Sequence, residues 1–137
     1  FAVILNTDVR TGGGIHWFAL FCDFRTNPYT IESFDSSGKH PRIQVDDWLI
    51  KTVNRINNYK DDVNNSTNRV ISRAKKVILK GLQHQHSETE CGPYSLYYIY
   101  NRLEGVPIES FQAMQEGKRV IKDREMTTFR CAMLTPN

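Results

Sequence analysis

A cysteine that opens an apolar run, with a glutamine six residues before it, carries the most chemistry in this 137-residue chain. The stretch reads Gln85-His-Ser-Glu-Thr-Glu-Cys91-Gly92-Pro93 and continues into Tyr94-Ser-Leu-Tyr-Tyr-Ile-Tyr100. Upstream, His16-Trp17 lies in a strand-like segment, and Phe34-Asp35-Ser36 ends the next one. A thiol, an imidazole, a carboxylate and an amide could serve as nucleophile, base, orienting partner of the base and oxyanion donor. Those are the groups a cysteine hydrolase needs, here in the chain order His, Asp, Gln, Cys.

A free thiol titrates near about 8.5, so at neutral pH it is mostly unreactive. The positive end of a helix favours the thiolate, and Gly92-Pro93 marks a helix start at Cys91. A nearby imidazolium favours it further, and His16 is the candidate base. By itself Cys91 would read as a small buried hydrophobe. The Gly-Pro start and the glutamine turn that reading toward a nucleophile. Cys22 in a strand and Cys131 in a C-terminal helix are expected to be buried packing residues.

His40, His84 and His86 compete with His16. His40 falls in a turn. His84 and His86 share the nucleophile's own loop, where a ring is poorly placed to aim at the sulfur, and they read as solvent-facing. A strand holds His16 rigidly. A zinc site of His84, His86 and Cys91 lacks a second ligand pair, so no metal or other cofactor is expected. Asp35, ending an adjacent strand, is placed to accept a hydrogen bond from His16, although Asp-Ser-Ser-Gly is also turn chemistry. Glu32, three residues back, falls on the opposite strand face. Gln85 would donate its NH₂ beside the Cys91 backbone N–H, and Gln83 lies two residues further from the nucleophile.

Length, with 39% hydrophobic and 24% charged residues, fits one domain over residues 1–137. No apolar run approaches the roughly 18 residues of a membrane span. The first residues lack a basic leader and cleavage site, and the chain starts on a strand-like run without Met, which reads as a fragment of a longer protein. Net charge is +3, with the positives concentrated between Arg69 and Lys80. Few aromatics interleave with them, so they read as a solvated face rather than a nucleic-acid groove. Three widely spaced cysteines argue against a disulfide framework and for a reducing compartment. The sequons at Asn64 and Asn65 read as a polar loop.

Strands are expected over 1–6, 15–24, 29–34 and 77–82, with turns at Thr11-Gly-Gly-Gly14 and Thr26-Asn-Pro28. In the second strand His16, Phe18, Leu20, Cys22 and Phe24 share one face, and Trp17, Ala19 and Phe21 the other. Both faces are apolar, which suits a central strand covered on two sides. Val45, Trp48, Leu49, Thr52, Val53 and Ile56 form one face of a helix over 45–59. The polar stretch 61–68 reads as a loop or inserted hairpin tip. A buried central helix runs from 92 to near Gly105, and two shorter helices cover 108–117 and 122–133. Strands first, then helices around a buried helix, make an α+β layer fold.

His16-Trp17, Asp35-Ser36 and Gln85-x₅-Cys91-Gly92 resemble the catalytic motifs of the SUMO-specific (ubiquitin-like) protease family and the adenovirus protease. Papain-like enzymes of the cysteine-first order are arranged differently. Leu5-Asn-Thr-Asp8, Gly14-Ile-His-Trp17, Ser33-Phe-Asp-Ser-Ser-Gly38 and the segment around Cys91 are similar to polyprotein-processing proteases of the African swine fever virus type. The resemblance spans 5–103 and thins toward the C-terminus. It implies a papain-like-superfamily core, with a central sheet, a buried helix starting at the nucleophile and flanking helices. It also implies a cysteine endopeptidase cutting after Gly-Gly, with catalytic His16, Asp35, Gln85 and Cys91, and with Trp17 and Asn6 contacting substrate. Trp17 would line a narrow channel over the diglycine, where a Cβ would clash. Substrates would be viral polyproteins, or alternatively ubiquitin-like modifier tails, in the host cytoplasm or virion. A third reading is an inactive scaffold. The African swine fever virus enzyme has asparagine where this chain has Asp35, so the triad resembles the SUMO-protease version. Those viral enzymes carry an N-terminal extension before this core, and 61–68 reads as an insertion.

Overall fold

Residues that alternate between two apolar faces need cover on both sides, and that requirement organises the molecule. The computed structural model describes residues 1–8, 12, 15–67 and 73–134. Its strands are β1 (Ala2–Asn6), β2 (Trp17–Asp23), β3 (Tyr29–Phe34) and β4 (Ala74–Leu79). Its helices are α1 (Ile43–Thr67), α2 (Cys91–Leu103), α3 (Ile108–Glu116) and α4 (Asp123–Leu134). The sheet order is β1-β2-β3-β4, with β2 antiparallel to both neighbours and β4 parallel to β3. On one face Phe18, Leu20, Cys22 and Ile31 pack on α1 through Leu49, with Val45, Val53 and Ile56 beside it. On the other, Ala19, Phe21, Phe34 and Leu79 pack on Tyr94 and Tyr98 of α2, backed by Phe111 and Met126. The fold is α+β, and among the described residues the sheet lies between one helix and three.

Several sequence expectations change. The stretch 61–68 is not a loop up to Thr67, because α1 continues through it. No Gly or Pro interrupts that span, and Asn and Asp cost only tenths of a kcal/mol each in a helix. Asn68, the rest of the basic run up to 72 and the glycine turn at 11–14, apart from Gly12, lie outside the described residues. The fourth strand sits earlier than expected, ending at Leu79 just before Gly81 takes a positive φ of 86°. Helix α2 is not buried all round: Tyr94 and Tyr98 are inaccessible, while Leu96, Tyr100 and Leu103 stay exposed. Cys22 is buried, and burial pushes its thiol pKa up. Cys131 is exposed instead of buried, because it lies five residues past Met126, the buried residue of α4, and so misses the i+3 and i+4 positions of that face.

The sequence did not announce a buried charge cluster at the far end of α2. Arg102 is 2% exposed and Glu32 fully buried, and Arg102 Nη2 and Nε reach the two Glu32 oxygens at 2.7 and 2.9 Å. Arg102 also lies 3.1 Å from Asp23, which Arg25 grips at 2.9 Å. Arg25 donates further to the Arg102 and Leu103 carbonyls, which end α2. Burial, then the Glu32 charge, raise the Tyr98 pKa well above its usual range, so its hydroxyl stays protonated and donates to Glu32.

Two predictions follow from this core. Arg102→Met should destabilise by about 3–5 kcal/mol in urea unfolding, because it strands the Glu32 charge. Adding Glu32→Gln should recover part of that loss, whereas no recovery would show that the pair is not what holds α2. The second concerns His84, which is 2% exposed and accepts the Ile121 N–H on Nδ1 at 3.1 Å. Burial lowers its pKa below the ordinary 6.5. Above about pH 6.5 the ring is neutral folded and unfolded, so it adds no pH dependence. Below that, the unfolded chain takes up a proton that the folded chain resists, and stability falls until pH reaches the folded pKa. His84→Asn keeps an acceptor without titrating, so its Tm should fall less between pH 6.5 and 5 than that of the unmutated protein. Equal slopes would remove His84 from the acid response.

Candidate active site

Strand directions bring one end of each strand to a common edge. The register pairs Asn6 with Trp17, Ala19 with Phe34, and Phe34 with Leu79. The ends of β1, β3 and β4 therefore meet the start of β2. Asn6, His16, Trp17 and Asp35 sit at that edge, and the segment after β4 carries Gln85 and Cys91 back to α2.

His16 Nε2 lies 2.8 Å from Asp35 Oδ1. A carboxylate oxygen accepts, so this contact places the proton on Nε2 and leaves Nδ1 as the free ring nitrogen. The same Oδ1 accepts from the Ser37 N–H at 2.8 Å and the Ser37 hydroxyl at 2.7 Å. Burial acts to raise the Asp35 pKa, but the hydrogen bonds from His16 and Ser37 outweigh it and hold the carboxyl below its ordinary value. Asp35 thus stays charged beside the ring. A pocket of about 260 Å³ opens beside this pair, with Phe18, Ser33 and the 39–42 loop in its wall.

Gln85 is 8% exposed and held at both ends of its amide. Oε1 accepts the Ser36 hydroxyl at 2.8 Å, and Nε2 donates to the Ser87 carbonyl at 2.6 Å. The loop around it is tied down on two sides. The His84 and Gln85 N–H groups donate to the Ser36 carbonyl at 2.8 and 3.0 Å. The His86 and Ser87 N–H groups donate to the Asp123 carboxylate at 3.1 and 2.9 Å. Gly38 makes the close approach possible. Its φ is 71°, and a Cβ there would come within 2.7 Å of the Leu82 backbone.

Cys91, 7% exposed, is the first residue of α2. The N-cap, Glu90, makes no side-chain cap bond, and Pro93 has no N–H, so the Cys91 and Gly92 N–H groups are unclaimed among the described residues. These donors and the helix dipole favour an anion there. Glu90 instead reaches Arg130 of α4, at 3.2 Å. A Cβ on Gly92 would meet nothing within 4 Å, so the space beside the Cys91 thiol is open.

The structure brings His16 and Asp35 into direct contact and links Asp35 to Gln85 through Ser36. It does not hydrogen-bond Cys91 to His16, a contact that often tightens only with substrate. Trp17, 39% exposed, is half open at the edge. Strand alternation puts it on the α2 side with Ala19 and Phe21. Asn6 Oδ1 accepts the Asp8 N–H at 3.0 Å. His86 is exposed, but His84 is buried, not solvent-facing, since Phe34 and Tyr94 pack around a ring that serves the Ile121 N–H. Glu32 belongs to the buried charge cluster. Sequence reasoning missed Ser36, Ser37 and Asp123, because a turn serine and a helix-start aspartate look the same whatever they bind.

Residues 2–137 match the Ulp1 protease family, C-terminal catalytic domain. The SUMO-1 cysteine protease of an African swine fever virus isolate from Kenya is 36% identical over 130 residues, covering 95% of this chain and 42% of that protein. A cysteine protease from the Vero-adapted Badajoz strain of the virus is 35% identical over the same shares. A crystal structure of the African swine fever virus protease covers all of this chain and 44% of its own, with a TM-score of 0.76 at 34% identity. The chain spans less than half the length of the curated relatives it matches. Fold, edge geometry and these likenesses agree: the chain belongs to the Ulp1 protease family.

Proposed function

We propose that this chain is the catalytic part of a cysteine endopeptidase that cleaves after Gly-Gly, acting in maturation of viral structural polyproteins. The observation that carries the reading is the 2.8 Å His16–Asp35 bond at the sheet edge that also receives the start of α2. In this mechanism His16 Nδ1 takes the Cys91 proton and the thiolate attacks the substrate carbonyl. Gln85 and the Cys91 N–H hold the oxyanion. His16⁺ then protonates the departing amine, and water releases the acyl group from sulfur. Asp35 holds the ring and stabilises its charged form. The open edge around Gly92, with Trp17 half exposed on the α2 side, supports an extended, side-chain-free segment entering between the indole and the nucleophile. A thiolate nucleophile suits a reducing compartment, host cytoplasm or virion. Among the described residues, no helix is long and apolar enough to cross a membrane.

Deconjugation of a SUMO-like or ubiquitin-like modifier is the second reading, and it is favoured by the relative from the Kenyan isolate, which is named a SUMO-1 cysteine protease. The chemistry is shared, so substrates discriminate: Gly-Gly-X peptides against fusions to a modifier tail.

Cys91→Ala should abolish cleavage, and His16→Ala should lower kcat/KM by about 10²–10⁴-fold. Asp35→Asn should cost less, because the amide carbonyl still accepts from Nε2. Full activity in either of the first two variants would sink the assignment, and a protein that a thiol-reactive probe with a diglycine aldehyde tail does not label selectively at Cys91 would be a scaffold. Replacing either substrate glycine by alanine should cost about 1–3 kcal/mol in kcat/KM through overpacking under Trp17. Trp17→Ala should narrow that gap while slowing both substrates. Equal rates on Gly and Ala peptides in the unmutated enzyme would end the channel idea.

A further inference from the structure

We propose that Ser36 is a positioning residue of the oxyanion hole, its hydroxyl holding the Gln85 amide in the one orientation that leaves an N–H for substrate. The inference rests on the reading of Gln85 as oxyanion donor. The two ends of a glutamine amide differ only in what they can bind, so the partners decide its orientation. The Ser87 carbonyl accepts and cannot donate, and it lies 2.6 Å from Nε2. The NH₂ therefore faces Ser87 and Oε1 faces Ser36, at 2.8 Å. A hydroxyl opposite a carbonyl oxygen must donate. One N–H goes to Ser87, and one remains.

Ser36 is 1% exposed and sits directly after Asp35. Its carbonyl takes the His84 and Gln85 N–H groups, so backbone and side chain of one residue seat the Gln85 loop against the residue that orients the base. Without the hydroxyl, Oε1 would be buried with no donor, and the amide would rotate or flip to find one. Rotation takes the remaining N–H off the oxyanion, and a displacement of about 1 Å in such a group costs on the order of 10²-fold in rate.

The test is a double-mutant cycle on peptide cleavage. Ser36→Ala should lower kcat about 10- to 100-fold, with little change in KM, because the bond it protects acts in the transition state. In a Gln85→Ala background the same substitution should cost nothing further. Alkylation of Cys91 by iodoacetamide, which forms no oxyanion, should run at the unmutated rate in Ser36→Ala, whereas a general disturbance of the edge would slow it. If Ser36→Ala fails to fold, Ser36→Thr and Ser36→Val replace it. They share a volume and differ in the hydroxyl, so Thr should turn over about tenfold faster than Val. Unchanged kcat in Ser36→Ala, equal losses in both backgrounds, or equal kcat for Thr and Val would each overturn the proposal. Failure of the underlying reading looks different, as a Gln85→Ala enzyme with full kcat or an unmutated protein that cleaves nothing. Either result would take the Ser36 proposal with it.

Discussion

The place of α2 along its own axis decides where the Cys91 sulfur stands, and the buried Arg102–Glu32 pair decides that place. Arg102 lies eleven residues beyond Cys91, about 16 Å along a helix. Its guanidinium meets both oxygens of a carboxylate on the middle of β3, a planar fit that tolerates little sliding. Apolar packing of Tyr94 and Tyr98 on Phe34 holds the helix to the sheet but is weakly directional. An ion pair with a fixed fork supplies the register that such packing lacks. The other end of α2 is held separately, by Glu90 on Arg130 and by the Tyr94 hydroxyl, which donates to the Ile121 carbonyl at 2.8 Å.

A second constraint lies in the turn after β3. Asp35, Ser36 and Ser37 are consecutive, yet each serves a different partner: the His16 ring, the Gln85 amide and Asp35 itself. Successive residues past a strand end need not alternate, so a turn can aim three groups into one volume where a strand could not. Gly38 closes that turn against the Leu82 backbone, and Asp123 holds the far side of the loop. Rigid supports on both sides suit the proposed site, whose donors would have to be aimed before substrate arrives.

Much of this was legible in the residues alone. Alternation on both faces of 17–23 required a central strand with two covers, and Gly92-Pro93 after a cysteine required a helix start at the thiol. Residue types and chain order pointed to His16, Asp35, Gln85 and Cys91 as a set, because few other side chains can do that chemistry. Local rules reached less far where several outcomes cost nearly the same. The polar run after 60 could be loop or helix, since its residues disfavour a helix only slightly and no breaker follows.

Tertiary structure alone decided the rest, because it depends on distances between residues far apart in the chain. Arg102 and Glu32 are separated by 70 positions, and each taken singly reads as a solvated charge. Ser36 and Gln85 are 49 apart, and no spacing rule pairs a turn hydroxyl with a loop amide. His84 looked exposed by its polar neighbours, yet the loop folds its ring under Phe34 and Tyr94, where a neutral imidazole satisfies a buried N–H. The sequence by itself determined which elements form and which groups could react. Only the packed fold decided which of those groups meet, because contact follows from how helices seat on the sheet, and that seating is set by charges and hydroxyls whose partners the chain order conceals.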